Sequence, residues 1–278
     1  MYHFVAFSLG QRKTQLENGA LVVSVDIDVG HRILGAEDNR KNNTGVHDNL
    51  TDYSIGKTEE RALPLFIEFF NDLEIPVTFA VRGQLTEVNS PIIDLIKQSP
   101  VEHEIGSHGY YHREFTNLSA SEVKNELELI SSGMRKIGIV PKSFVFPKNK
   151  VAHLSLLEEF GYRCYRGHGN FRTDSMYIEK HNQLYNIRPS FYLGQSVSPV
   201  FLRKIVDISI QRKLPFHVWF HAWNFGDETA TIRSSIARVF CPLFQYAKRK
   251  YEGDTLGFET MFSMVEKIEQ SASFPARA

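Results

Sequence analysis

The sequence of 278 residues predicts an α/β fold built on a mainly parallel sheet. Strand-like apolar runs alternate with segments whose apolar residues recur at helical spacing, and Gly, Pro and Asn punctuate the joins. Several polar, chemistry-bearing side chains fall where predicted strands end. In open α/β sheets and barrels alike, that edge is where active sites assemble.

Leu21 to Val25, within Leu21-Val22-Val23-Ser24-Val25-Asp26-Ile27-Asp28, reads as a buried strand. A polar, Asn- and Gly-rich stretch from Gly30 to Gly56 is too long for a simple turn and is expected to be a functional loop at that strand's C-terminal end. Thr58 to Leu73 carries Leu63, Phe66, Ile67, Phe70 and Leu73 at helical spacing, with Pro64 as a gentle break. Pro76 to Val81 is the next strand, Ile92 to Lys97 a short helix, and Glu104-Ile105-Gly106-Ser107 leads into a histidine pair. Ser119 and Glu122 make a capping-box signature that opens a helix to about Lys136.

Ser143 to Phe146 reads as a strand, Ala152 to Phe160 as a helix stopped by Gly161, and Tyr162 to Tyr165 as another strand. Pro199 to Arg212 is amphipathic and helical, Phe216 to His221 is a late strand, and the chain from Ser234 onward reads as helical. No repeat, linker or low-complexity segment interrupts this pattern. One domain over residues 1–278 is expected, with its core at about 20–228 and a helical C-terminal tail.

Composition excludes several classes. Lys plus Arg equals Asp plus Glu at 32 each, so no overall charge points to nucleic acid or an anionic membrane. Two cysteines, Cys164 and Cys241, cannot make a disulfide framework and mildly favour a reducing compartment. No apolar stretch approaches the length of a membrane span. The apolar N-terminus, Met1 to Leu9, lacks a preceding basic region and a convincing cleavage site, so a soluble cytoplasmic protein is expected.

The chemistry concentrates in two places. His108 and His112 lie four apart, and Asp26 and Asp28 close the first strand and share one of its faces by parity. Imidazole and carboxylate together form the usual nitrogen and oxygen ligand set for zinc and its neighbours. Three protein ligands leave a position for water, which points to a hydrolase. Blander accounts stand beside this one. With eleven histidines in the chain, one such pair can arise by chance, and aspartates often cap loops. Two carboxylates so close would repel unless a cation or a shared proton intervened. His221, among the aromatics of Trp219-Phe220-His221-Ala222-Trp223, also fits a core histidine, as does His217 on the same strand face. Neither cysteine has a neighbour that suggests a thiol ligand or nucleophile, and no Gly-rich phosphate loop is present.

The ordered set of motifs resembles the NodB-type polysaccharide deacetylases, carbohydrate esterase family 4 and its relatives, from about Leu21 to Asp227. Ile75-Pro76-Val77-Thr78-Phe79-Ala80-Val81-Arg82-Gly83 is similar to that family's second strand. His103-Glu104-Ile105-Gly106-Ser107-His108 through His112, then Phe115-Thr116-Asn117-Leu118-Ser119, is close to its most specific motif. Phe144-Val145-Phe146-Pro147, followed by Leu156 to Tyr162, resembles the segment that carries its third motif.

The resemblance implies a distorted (β/α) barrel, like a TIM barrel but with fewer than eight regular strands, expected to number seven. It implies one divalent metal, usually zinc, on Asp28, His108 and His112, with Asp26 as catalytic base and His221 as general acid. The implied activity is hydrolysis of an N-acetyl amide on an amino sugar, with a carbohydrate as the partner. Tyr111 and Trp223, with Tyr110 and Trp219, offer aromatic walls for a sugar, and Pro147 and Lys148 complete the expected substrate-binding set.

Three departures stand out. The Asp-x-Asp spacing resembles the subgroup with peptidoglycan deacetylase and cyclic-amide hydrolase relatives. The family's arginine before the third-motif proline, which orients the base, is Phe146 here, with Lys148 the nearest cation. No clear counterpart of the aspartate that tunes the acidic histidine occurs around Tyr165 to Asn170. Hydrolysis of a linear or cyclic amide on a small metabolite, and carbohydrate binding without catalysis, therefore stay open beside deacetylation. So does an α/β fold whose histidines are purely structural.

Overall fold

Strand β1 (Gly19–Ile27) is buried along its whole length because both of its edges and both of its faces are covered. A computed structural model of the chain describes residues 16–28, 52–87, 90–167, 176–194, 196–226 and 228–273. The apolar N-terminus, most of the loop expected from Gly30 to Gly56, and His168 to Asn170 lie outside those residues. One edge of β1 pairs with β9 (Pro215–His221) from Ala20 to Asp26. Two strands share its other edge. β10 (Leu256–Glu259) takes Gly19 to Val22, and β2 (Thr78–Val81) takes Ser24 to Ile27. All three pairings are parallel.

The sheet continues through β3 (Glu104–Ser107), β4 (Ser143–Val145), β5 (Cys164–Arg166) and β7 (Leu184–Ile187), all parallel. β6 (Ile178–His181) runs antiparallel beside β7, and β8 (Phe191–Tyr192) lies beyond β9. Among the described residues the sheet has ten strands, and β8-β9-β1-β2-β3-β4-β5-β7 forms an uninterrupted parallel run of eight, one more than the seven expected. The two sides of the sheet meet: the His217 imidazole on β9 donates from Nδ1 to the Ile187 carbonyl on β7, 2.9 Å away. Such a contact requires the sheet to curl, which makes it a half-barrel.

Alternation along β1 separates two cores. Its odd residues Leu21, Val23, Val25 and Ile27 face helix α1 (Asp52–Asp72), where the expected stripe of Leu63, Phe66, Ile67 and Phe70 is fully buried. Phe66 packs on Phe220, Phe225 and Phe240 at 4.8 to 5.5 Å between ring centres, a tilted and edge-on cluster of the kind aromatic rings favour. The same outer layer holds α2 (Pro91–Lys97), α3 (Ala120–Lys136), α4 (Leu154–Glu159), α5 (Pro199–Arg212), α6 (Thr229–Ser235) and α7 (Cys241–Glu252). The Ser119–Glu122 capping box at the start of α3 is present in full. Gly161, which ends the segment after α4, has φ +81°, the left-handed conformation that suits glycine.

The even residues Ala20 and Val22 face the other way, onto Met261, Met264, Val265 and Ile268 of α8 (Met261–Ser273). α8 thus fills the concave side of the sheet. Its first amides are accepted by strand side chains: Met261 N–H by Thr78 Oγ1 at 2.8 Å and Phe262 N–H by Glu104 Oε2 at 3.0 Å. That accounts for a half-buried glutamate on β3. A helix N-terminus leaves such amides without intrahelical partners and favours a carboxylate. The C-terminal segment, expected to be helical, also contributes β10 to the sheet.

Candidate active site and metal centre

Above α8, the parallel strands deliver their C-terminal ends to one place. Asp26 is the penultimate residue of β1 and Asp28 follows its end, so both project from the concave face. Asp26 pairs in register with His221, the last residue of β9. β3 ends at Ser107, and His108 follows directly. Asp28 Oδ1 lies 3.3 Å from His108 Nε2 and 3.4 Å from His112 Nε2, and one ligand atom from each of the three lies within 4.8 Å of the others. His221 Nε2 stands 3.4 Å from Asp28 Oδ2 and 3.7 Å from Asp26 Oδ2. The structure therefore brings all five of these residues together.

The donor set fits a cation. His108 Nδ1 is 2.8 Å from the carbonyl of Val145, which can only accept, so the proton sits on Nδ1. In neutral His108, Nε2 then presents a lone pair to the Asp28 carboxylate. Two electron-rich atoms 3.3 Å apart call for a positive charge between them. His112 supplies a second such atom: burial, with Arg82 and neighbouring imidazoles, outweighs the pull of Asp28 and lowers it to about 3, so its ring is neutral at pH 7. Burial alone would raise Asp28, but His221, His112 and His108 overcome this and hold its carboxyl well below the ordinary value.

The loop between the two histidines is tightly specified. Gly109 has φ +70°, and a Cβ there would come within 3.2 Å of Pro147 Cγ. His112 itself has φ +60°, a left-handed conformation that costs a non-glycine residue energy. Buried Glu126, on α3, accepts from the amides of Tyr110 and Tyr111 at 3.1 and 3.4 Å and from Arg113 Nε at 2.5 Å. Buried Arg82, just past β2, donates to the carbonyls of Asp28 at 2.7 Å and Tyr111 at 3.3 Å, and to Gln84 Oε1 at 2.6 Å.

Asp26 has the cationic partner that the third-motif segment lacks. Arg166, the last residue of β5, grips it bidentately at 2.6 and 2.5 Å. The guanidinium lies 4.3 Å over the Trp219 ring and also donates to Ser24 Oγ at 2.9 Å. Ser24 in turn donates to His217 Nε2 at 2.9 Å, since His217 carries its proton on Nδ1 for Ile187. His217 is thus a satisfied core histidine that holds Arg166 at one remove. Burial would raise Asp26, but Arg166 and then His108 and His221 outweigh it and lower its carboxyl, which is therefore ionised at neutral pH. Lys148, the nearest cation in sequence, instead pairs with Glu114 at 3.2 Å. Reading along the chain missed Arg166. Its one signal was a cation at the end of an otherwise apolar strand.

Behind His221 stands Tyr192, whose hydroxyl is 3.5 Å from Nδ1 and is itself held by the Asn224 amide. Trp223 donates from Nε1 to Asp28 Oδ2 at 3.1 Å, and its ring lies 5.2 Å from that of His221. The Tyr111 ring packs on Tyr110 at 4.6 Å with Arg113 at 5.3 Å, and Pro147 is buried under Gly109. Of the expected substrate-binding set, Trp223 and Pro147 border the cluster directly through Asp28 and Gly109.

A curled parallel sheet with a carboxylate–imidazole cluster at its C-terminal edge defines a half-barrel α/β protein of the type shared by NodB-type deacetylases. A profile of the polysaccharide deacetylases matches residues 50–165, a stretch that contains His108 and His112. The match covers that stretch, and the fold is that of the NodB-type deacetylases. A structure from Mycobacterium smegmatis, provisionally assigned as a polysaccharide deacetylase, superposes with a TM-score of 0.68 at 16% identity, covering 97% of this chain and 95% of that one. The PuuE allantoinase superposes at 0.64 with 13% identity and 92% of each chain. A family 4 carbohydrate esterase from Bacillus anthracis superposes at 0.51 with 14% identity, over 92% of this chain and 86% of that one. No curated protein matches the chain.

Proposed function

We propose that the chain is a metal-dependent deacetylase that hydrolyses the N-acetyl amide of an amino sugar in a polysaccharide or glycan precursor. The observation that carries this reading is the buried Asp28–His108–His112 cluster, with Asp26 and His221 beside it. Asp28 and the Nε2 atoms of both histidines would hold one divalent ion, with zinc the expected occupant of such nitrogen and oxygen donors. Such an ion, when bound, lowers the pKa of a coordinated water and polarises an acyl carbonyl.

The remaining steps belong to the chain. Asp26, ionised and locked by Arg166, is oriented to accept a proton from the attacking water. His221, in its protonated form, donates to the departing amine, which is otherwise a poor leaving group. Tyr192 orients its ring from the Nδ1 side. Trp223 fixes Asp28 and offers an aromatic edge to the sugar beside it. The departures in the motifs fit this reading: Arg166 takes over from β5 the duty that Phe146, just past β4, cannot perform.

The test is an acetate-release screen on N-acetylated oligosaccharides, run beside metal analysis of protein purified without a polyhistidine tag. About one equivalent of metal, activity lost to chelator and regained with zinc, and a fall of roughly two to four orders of magnitude for Asp26→Asn are expected. Activity of Asp26→Asn within a few-fold of wild type would refute the base assignment. The fold is shared with an allantoinase, so cyclic ureides belong in the same panel. Turnover of those alone would replace the sugar with a small-molecule amide.

A further inference from the structure

We propose that Arg82 and Glu126 act as a two-sided clamp that positions the metal ligands, with Arg82 tying the Asp28 backbone to the histidine loop. The inference rests on the metal-centre reading above but concerns residues that touch neither ion nor substrate. His108 and His112 are separated by Gly109, Tyr110 and Tyr111, and this short loop ends in a left-handed histidine. A sparsely populated conformation at a ligand persists only when its surroundings over-determine it. Two buried charged groups do so here.

From one side, the Glu126 carboxylate gathers the amides of Tyr110 and Tyr111. From the other, Arg82 takes the Tyr111 carbonyl, one peptide before His112, and the Asp28 carbonyl, while Gln84 holds the guanidinium in place. Arg82 therefore bridges the two separate stretches of chain, after β1 and after β3, that supply all three ligands. A lysine has one ammonium where this geometry uses two nitrogens of a planar fork, so it cannot reproduce the bridge. Glu126 is anchored by Arg113, which places the clamp's second half on the rigid body of α3.

The clamp predicts a loss of metal affinity separable from a loss of folding. Apo protein carrying Arg82→Met, Arg82→Lys or Glu126→Gln would be titrated with zinc against a chromophoric chelator. Far-ultraviolet circular dichroism and melting of the apo form would be measured in parallel. Positioning groups of this kind are worth about 10- to 100-fold in metal affinity. We expect that range for both Arg82 variants and about 10-fold for Glu126→Gln, with the apo spectrum unchanged. Cobalt in place of zinc should also show an altered visible absorption, because its ligands are no longer held at one geometry.

A merely structural role lowers the apo melting temperature and leaves the zinc affinity of the folded protein within about twofold of wild type. That result would overturn the clamp. If Arg82→Met does not fold, Arg82→Lys and Glu126→Gln decide the matter by the same criterion. Failure of wild type itself to take up zinc or cobalt sinks the metal centre instead, whereas normal wild-type binding with unchanged variants sinks only the clamp.

Discussion

Arg166 separates two aspartates that look equivalent in the sequence. Asp26 is gripped by a guanidinium, and Asp28 faces imidazoles and an indole N–H. In the proposed mechanism, this difference in environment suits one to proton transfer and the other to coordination. Removing one partner of a buried ion pair strands the other charge, at a cost of about 3–5 kcal/mol. Arg166→Met should therefore lower stability by that order in urea unfolding and depress turnover with it. Adding Asp26→Asn to that variant should recover part of the stability and none of the activity. Independent, additive losses in the double variant would contradict the pairing. The clustering of Asp28, His108 and His112 was legible in sequence because they sit in short, ordered motifs. Arg166 and Tyr192 were not, because they reach the site across strands β5 and β8, and only the curl of the sheet reveals that proximity.

At the scale of elements, periodicity recovered what burial enforces. The stripe of α1, the capping box of α3 and the bounds of α5, Pro199–Arg212, follow from apolar spacing and end signals. β6, β7, β8 and β10 escaped because they are two to four residues long and carry no sustained alternation. Nor does spacing distinguish the two sides of a sheet, so the place of α8 beneath the site was invisible. Met264 is fully buried between α8 and β1's inner face. Met264→Ala should cost about 2–5 kcal/mol, the usual range for emptying such a position. Calorimetric unfolding would check it, and a loss below about 1 kcal/mol would mean that α8 does not pack as described.

Across the whole molecule, neutral histidines make stability sensitive to acid. His103 joins the base of β2 to α1: its Nδ1 accepts from the Val77 amide at 3.2 Å and its Nε2 donates to Asn71 at 3.0 Å. Protonating Nδ1 would set two N–H groups against each other. Burial lowers this histidine to about 4. Its folded value lies below the ordinary 6.5, so between those limits the unfolded chain binds a proton that the native chain refuses. Stability should consequently fall as pH drops from about 6.5 towards 4, by on the order of 2 kcal/mol for this residue once its partial exposure is discounted. His112 and His217, both lowered to about 3 chiefly by burial, push in the same direction. Urea midpoints measured across that window should fall less steeply for His103→Gln than for wild type. Equal slopes would remove His103 from the account.

The double occupancy of one edge of β1 has a consequence in time. Gly19 finds its neighbour only at Leu256, and Ala20 at Pro215, so β1 is completed only after β9 and β10 have been made. Pairings so distant in sequence slow the search for the native topology. During synthesis, Asp26 waits with one flank bare until His221, made about 195 residues later, has been added.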